Sequence, residues 1–282
     1  MKKNDTLQRF LFENNHIRGE IIHLEEVYQT ILSQRPYPTM VKHLLGEALA
    51  ACVLLAGSIK FKGEIYLQFQ GDERLPLLLI QCTDDLHLRG FAKFKEESGE
   101  TINYNEAFLN GHMTLVINQD NQTQTYQSVV PIKSISMSEN IISYFAQSEQ
   151  ISTMVWLATN EYQAGGMLLQ LMPDQNSIER EQFWEYAVQL GQTVRNDELL
   201  TLDNETLLHR LYHESELRLF PARRVTHRCR CTQDKMKQIL ITIGESEVKS
   251  IIEEQGAVTI SCDFCQKAYS FDPIDITLLF KA

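Results

Sequence analysis

Positive charge is what this chain is short of. Of its 282 residues, 26 are Lys or Arg against 37 Asp or Glu, a formal net charge of −11. Nucleic-acid phosphates are held by local excesses of Lys and Arg, so the balance argues against a specific nucleic-acid partner. The C-terminal stretch from Cys229 to Ala282 is no exception, with eight acids against six bases. Long apolar runs are missing too. After Met1-Lys2-Lys3-Asn4-Asp5-Thr6, the run Leu7 to Phe12 is broken by Gln8 and Arg9, which predicts no signal peptide. No window approaches 18 apolar residues, which predicts no membrane span. A Gly-rich phosphate-cradling loop with its Lys is absent as well. No low-complexity tract argues for disorder, and a hydrophobic content of 43% is enough for a packed core. The expected compartment is the cytoplasm, where thiols stay reduced.

Against that background four of the six cysteines stand out. They form two tight pairs, Cys229-Arg230-Cys231 and Cys262-Asp263-Phe264-Cys265, separated by 30 residues. Four thiolates on two turns are what a closed tetrahedral zinc site needs. The Cys262/Cys265 spacing is ordinary for zinc or redox chemistry, whereas the one-residue gap of Cys229/Cys231 is rarer. Structural disulfides or unrelated free thiols are the plainer alternatives, and a reducing compartment weakens the first. Cys52 and Cys82 fall in apolar runs and read as small buried hydrophobes. His227, two residues before Cys229, is a possible substitute ligand, and the other histidines give no ligand spacing. Arg228 and Arg230 flank the thiols. Asp84-Asp85 and Glu96-Glu97 read as solvated turns, not acid/base machinery, so no enzyme activity is expected.

The periodicities predict an α+β fold of three parts. In residues 1–173, a strand over Ile17–Leu24 is followed by a helix from Thr39 to about Ala56, stopped by Gly57. Its expected apolar face is Val41, Leu44, Leu45, Ala48, Leu49, Cys52 and Leu55. Short strands follow over Ile65–Phe69, Leu75–Cys82, Leu86–Phe94, His112–Ile117 and Thr125–Val130. A helix over Ser138–Gln147 precedes two more strands, Ile151–Ala158 and Met167–Met172, and Gly165-Gly166 suggests a bulge or a close backbone approach. This part reads as a mostly antiparallel α/β core. Composition changes in residues 174–228, where ten acids meet seven bases, every base an Arg. Asn176 with Glu179 resembles a capping box. The stripe Phe183, Trp184, Ala187 and Val188 predicts one helix to Gly191, and Leu207, Leu208 and Leu211 predict another from Asp203. Such narrow stripes cannot stand alone, so these helices must lean on something else. In residues 229–282, helices over Lys235–Ile243 and Ser246–Glu254 end at Gly244 and Gly256. Strands over Val258–Ser261 and Tyr269–Phe271 and a closing element over Ile274–Phe280 complete it.

At 54 residues the last part is near the size that needs a staple. Structural zinc contributes roughly 10–16 kcal/mol in small modules, against about 3–5 kcal/mol from so small a core. The same thiolates are what oxidants attack. If Cys262 pairs with Cys265 and Cys229 with Cys231, no ligand remains for the ion. The constellation therefore supports either a static zinc knob or a reversible switch.

At these residues the chain resembles the heat shock protein 33 family, the redox-regulated holdase chaperones of bacteria. The four-cysteine signature followed by Tyr269 carries most of the likeness. Tyr144-Phe145-Ala146-Gln147-Ser148-Glu149-Gln150-Ile151-Ser152-Thr153, Ala164-Gly165-Gly166-Met167-Leu168-Leu169-Gln170-Leu171-Met172-Pro173, Ile17-Arg18-Gly19 and Leu88-Arg89-Gly90 support it. The chain departs from the family at Gln70-Gly71-Asp72-Glu73-Arg74, which lacks a second Gly, and at Thr232, where Ser is usual. The resemblance implies a core domain (1–173), a metastable helical linker (174–228) and a C-terminal zinc redox-switch domain (229–282). It implies one Zn2+ per chain on Cys229, Cys231, Cys262 and Cys265. It also implies that oxidation expels the zinc, unfolds the tail and loosens the linker. Phe183, Trp184, Leu207, Leu208 and Leu211 are then candidates for surface that is packed in one state and exposed in the other. Unfolded proteins would be the partners, held without ATP, and oxidised chains would form a homodimer. Two rival readings remain open: a dithiol-disulfide oxidoreductase using Cys262/Cys265, and a zinc-containing nucleic-acid module.

Overall fold

The computed structural model of the chain describes residues 5–13, 16–95, 104–108, 110–120, 125–173 and 178–281. The chain divides into two compact units, Met1–His227 and Arg228–Ala282. The mixed α+β class expected from the sequence holds in both.

The larger unit is built on two sheets with one helix between them. Strands β1 (Thr6–Phe12) and β2 (Ile17–Leu24) form a hairpin, followed by helices α1 (Glu26–Leu32) and α2 (Thr39–Ser58). Strands β3 (Gly63–Gln70), β4 (Leu77–Thr83) and β5 (His87–Lys93), a short helix α3 (Tyr104–Ala107), and strands β6 (His112–Gln119) and β7 (Tyr126–Pro131) follow. These five strands pair antiparallel in the order β5-β4-β3-β6-β7. Helix α4 (Met137–Tyr144) runs on into a π-helical turn at Phe145–Glu149. Strands β8 (Thr153–Thr159) and β9 (Ala164–Leu171) then return to the first sheet, ordered β1-β2-β9-β8.

Side-chain parity explains how the first sheet is used. Leu7, Ile22, Leu24, Val155, Ala164 and Leu168 point into the core shared with α2. Their opposite-parity neighbours Phe10, Phe12, Ile17, Ile21, Ala158, Met167 and Leu169 form a second apolar layer on the other face. Strand residues alternate in just this way, so both faces of this sheet are hydrophobic and both must be covered.

One cover is α2, and here the single-face expectation is corrected. The expected face is buried, and so are Gly46, Ala50, Ala51, Val53, Leu54, Ala56, Gly57 and Ser58. Small residues on the remaining sides let strands of both sheets pack close, which a stripe of large residues alone does not reveal. By length and composition alone the helix is also apolar enough to cross a membrane, but 78% of that window is buried inside the protein.

The other cover is the segment after β9: α5 (Ile178–Gly191), α6 (Asn196–Thr201) and α7 (Asn204–Tyr212). Asp203 caps α7 by accepting from the Thr206 N–H at 3.0 Å, where the sequence placed the helix start. The Asn176 cap lies outside the described residues. Leu207, Leu208 and Leu211 are 0%, 3% and 2% exposed against the outer sheet face, and Phe183 and Trp184 are partly buried on it. Phe12 meets the Phe183 and Tyr212 rings edge-on at 5.5 and 4.9 Å. The dependence read from narrow stripes is thus met by a sheet face. A polar chain adds to it: Asn204 donates to Gln8 Oε1 at 2.7 Å, Gln8 donates to the Phe220 carbonyl at 2.8 Å, and His23 Nε2 lies 2.8 Å from Asn204 Oδ1. Burial pushes the His23 imidazole down, which suits a neutral ring at this position.

Three very short strands follow, none legible in sequence. Strands β10 (Leu217–Leu219) and β11 (Arg223–Arg224) pair antiparallel with β1, and β12 (Thr226–His227) pairs parallel with β5. They cover edges that would otherwise offer unpaired backbone groups. At Gly165-Gly166 the register with β2 and β8 runs uninterrupted, so there is no bulge. The close approach is real: a Cβ on Gly165 would lie 2.9 Å from the Leu199 carbonyl oxygen.

The smaller unit comprises α8 (Gln233–Ile243), α9 (Glu245–Gln255), a hairpin of β13 (Val258–Ser261) and β14 (Ala268–Phe271), and α10 (Pro273–Leu279). Gly244 and Gly256 sit at φ of 101° and 79° where the first two helices stop, a conformation that excludes most side chains. The closing element is a helix, with Asp272 and Asp275 in a capping box and Pro273 in its first turn. Its core is small: Met236, Leu240, Val248, Val258, Cys262, Phe271 and Ile276.

Candidate metal centre

Two turns of the smaller unit bring the cysteines together. Cys229 and Cys231 lie just ahead of α8, whose N-cap Thr232 accepts from the Lys235 N–H at 3.2 Å. A Ser would make the same cap, so the departure at this position is conservative. Cys262 and Cys265 occupy the turn joining β13 to β14. There the Cys262 N–H donates to the Lys267 carbonyl at 3.0 Å and the Gln266 N–H to the Cys262 carbonyl at 2.8 Å. Gln266 adopts φ 57° and its side-chain amide donates to the carbonyls of Cys262 and Asp263. The turn thus folds back on itself with both thiols on one side.

All four sulfurs lie within 4.8 Å of one another. Cys229 Sγ is 3.7 Å from Cys262 Sγ, and Cys231 Sγ is 3.5 Å from Cys265 Sγ. A tetrahedral ion with Zn–S bonds of about 2.3 Å sets its sulfurs roughly 3.8 Å apart, so the cage has the dimensions of a four-thiolate site. Cys262 is buried and the other three are half-buried.

The electrostatics point the same way. Burial acts to raise the Cys229 thiol, but the Cys231 N–H and hydrogen bonds from the other three cysteines outweigh it and bring it down to about 7. Burial, and then the negative charge and hydrogen bonding of Cys229, push Cys262 and Cys265 up. Ionising one thiol thus opposes ionising its neighbours, and a divalent cation among the sulfurs removes that opposition. Arg228 and Arg230 are exposed, and the largest contributions at the cysteines come from burial and from the cage itself. His227 sits in β12 of the larger unit, where burial pushes its imidazole down. Among the described residues the ligand group contains cysteines alone.

Cys52 and Cys82 are fully buried in the larger unit. Burial holds Cys82 up at about 12 and Cys52 well above the ordinary thiol range, which makes both inert. Asp84 accepts from the Gly63 N–H at 3.3 Å in a turn, and Glu96-Glu97 lies outside the described residues.

Tyr269, part of the cysteine signature, also belongs to the cage. Its hydroxyl donates to Cys231 Sγ at 3.2 Å, which pushes the phenol up to about 12, and Lys267 Nζ stands 5.0 Å above its ring. A donor to a ligand sulfur fixes the ligand and tempers its charge. The phenylalanine variant, Tyr269→Phe, is expected to lose metal affinity by about 10–100-fold while keeping its fold. Competition with a chromogenic chelator measures this, and unchanged affinity would leave the hydroxyl without a part in the cage.

The model of the family described as Hsp33 protein matches residues 5–272. The chain is 39% identical to the 33 kDa chaperonin of Pseudomonas aeruginosa (strain UCBPP-PA14), covering 99% of this chain and 96% of that protein. It is 40% identical to the 33 kDa chaperonin of Shewanella woodyi over 98% of this chain and 96% of the other. Its fold is similar to the crystal structure of the 33 kDa chaperonin (heat shock protein 33 homolog) of Thermotoga maritima. That match has a TM-score of 0.83 at 19% identity and covers 99% and 98% of the two chains.

Proposed function

Because the chain belongs to the Hsp33 family, a family of chaperones, we propose that it is a redox-regulated, ATP-independent holdase acting in the cytoplasm. The observation that carries this reading is the four-thiol cage in a small unit, on a chain whose preceding helices cover an apolar sheet face. When bound, zinc would keep the four sulfurs as thiolates and tie the two turns together. Cys229, Cys231, Cys262 and Cys265 would hold the ion, Tyr269 would steady Cys231, and the turn at Gln266 keeps Cys262 and Cys265 on one side.

Oxidation uses the same sulfurs. Cys229 with Cys231, and Cys262 with Cys265, each form one S–S bond by giving up two electrons. A peroxide accepts each electron pair, its O–O bond breaks, and the thiol protons leave in water or alcohol. Four ligands are then lost at once. The remaining core of seven buried residues supplies only about 3–5 kcal/mol, so the smaller unit unfolds. The linker helices α5–α7, ahead of that unit in the chain, then leave the sheet. Phe10, Phe12, Ile17, Ile21, Met167 and Leu169 would be uncovered together with Phe183, Trp184, Leu207, Leu208 and Leu211. This surface holds the apolar segments of unfolding proteins, and two oxidised chains associate through such surfaces. No nucleic acid, membrane or substrate turnover belongs to the reading.

The test is suppression of aggregation of a thermally unfolding client by oxidised and reduced protein, with released metal followed by a chromogenic chelator. Suppression confined to the oxidised sample, in step with metal release and with mapped Cys229–Cys231 and Cys262–Cys265 disulfides, is expected. Equal suppression by the reduced protein would remove the redox control. Turnover in insulin reduction would instead support the oxidoreductase, whose dithiol ordinarily opens a helix, whereas Cys262/Cys265 sits in a hairpin turn.

A further inference from the structure

Two histidines that carry no ligand signature in the sequence come together on α7. His209 lies in the last turn of that helix, and His213 at its end keeps helical backbone angles (φ −59°, ψ −21°). Residues four apart stack on one helix face. Their rings accordingly lie side by side, centroids 5.9 Å apart and planes 36° from parallel. Both side chains are exposed, opposite the buried Leu207, Leu208 and Leu211. Among the described residues neither imidazole has a hydrogen bond or ion pair, so their ring nitrogens are available.

We propose that His209 and His213 form a second metal site, a two-imidazole chelate for a borderline divalent cation such as Zn2+ or Ni2+, which staples the last turn of α7. Imidazole pairs select such ions over Ca2+ or Mg2+. Two rings sharing one ion at Zn–N distances of about 2.0–2.1 Å put their centroids roughly 5 Å apart. Small rotations of two exposed side chains close the gap from 5.9 Å. The location suits a cation as well, because the carbonyls ending a helix carry partial negative charge. The nearest cationic side chain in sequence, Arg210, is turned to Glu198, with Nε 2.5 Å from Oε1. Water completes the coordination sphere. The chelate exists only while residues 209–213 are helical, so binding and the helical state of the linker favour each other. On the holdase reading, the occupied site restrains the linker. The binding itself does not depend on that reading.

The experiment uses the full chain, reduced and already zinc-loaded, titrated with further Zn2+ by calorimetry and equilibrium dialysis beside H209Q and H213Q. Both substitutions are at exposed positions and leave the core intact. A second, weaker equivalent is expected in the parent chain, weakened in each variant by at least about tenfold, the least that losing even an outer-shell partner costs. No second equivalent, or one undiminished when both histidines are replaced, overturns the site. Hydrogen exchange over residues 204–213 should slow with Zn2+ in the parent chain alone. Binding without slowing would overturn the staple. A redox-independent holdase assay with both metal results intact would indict the proposed function instead.

Discussion

Serine in place of Cys262, or a strong chelator added to the reduced chain, is expected to unfold the smaller unit and loosen α5–α7, while the two sheets and α2 keep their fold. Cys262 is the one buried thiol of the cage and also part of the smaller unit's core, so its loss opens both. Structural zinc is worth roughly 10–16 kcal/mol in modules of this size, and the core left behind offers about 3–5 kcal/mol. The first figure exceeds the second severalfold, so no partial loosening is expected. Amide exchange should become fast across α8, α9 and the β13–β14 hairpin and remain slow in α2, β2 and β9. The control is Cys82→Ala, a buried thiol outside the cage, which should leave α8 and α9 protected. Protection of α8 and α9 surviving complete metal removal would show that the seven-residue core suffices alone, and the switch would lose its physical basis.

Local chemistry shows in a sequence, whereas long-range packing does not. The cysteine cage was legible because ligand chemistry is written in residue type and spacing. Strand β13 and the helix stops at Gly244 and Gly256 were legible because alternation and left-handed glycines are local signals. Strand β1 was missed because Gln8 and Arg9 break its apolar pattern. Gln8 is met by Asn204, distant in sequence, and Arg9 by Glu20 directly across the β1–β2 hairpin, and these partners make both polar residues welcome in a sheet. Helix α6 is six residues long and β11 and β12 two each, too short to carry a period. The second face of α2 was invisible because Gly, Ala and Ser pack closely without producing an apolar stripe. Tyr269 and the His209/His213 pair lay open to spacing arguments: an aromatic hydroxyl four residues past a ligand, and two imidazoles one helical turn apart.

Truncating a linker leucine should do by mutation what oxidation is proposed to do by chemistry. Leu211 is 2% exposed and packs with Phe12, Ile17 and Tyr212 in the layer between α7 and the outer sheet face. Leu211→Ala removes that packing and leaves a cavity, at a cost of about 2–5 kcal/mol. A nine-residue helix has little stability of its own, so nearly all of that cost falls on its docking. Two results are expected in the reduced, metal-loaded protein: protease cleavage within 178–212, and suppression of client aggregation without oxidant. Ile178→Ala supplies the control, because Ile178 is 76% exposed at the start of α5 and its truncation should change stability by less than about 0.5 kcal/mol. The ligand cage is untouched in both variants, so the metal should stay bound while L211A becomes active. Cleavage without client binding would mean that the uncovered sheet face is not the holding surface. Neither effect would mean that the helices do not gate the chaperone at all.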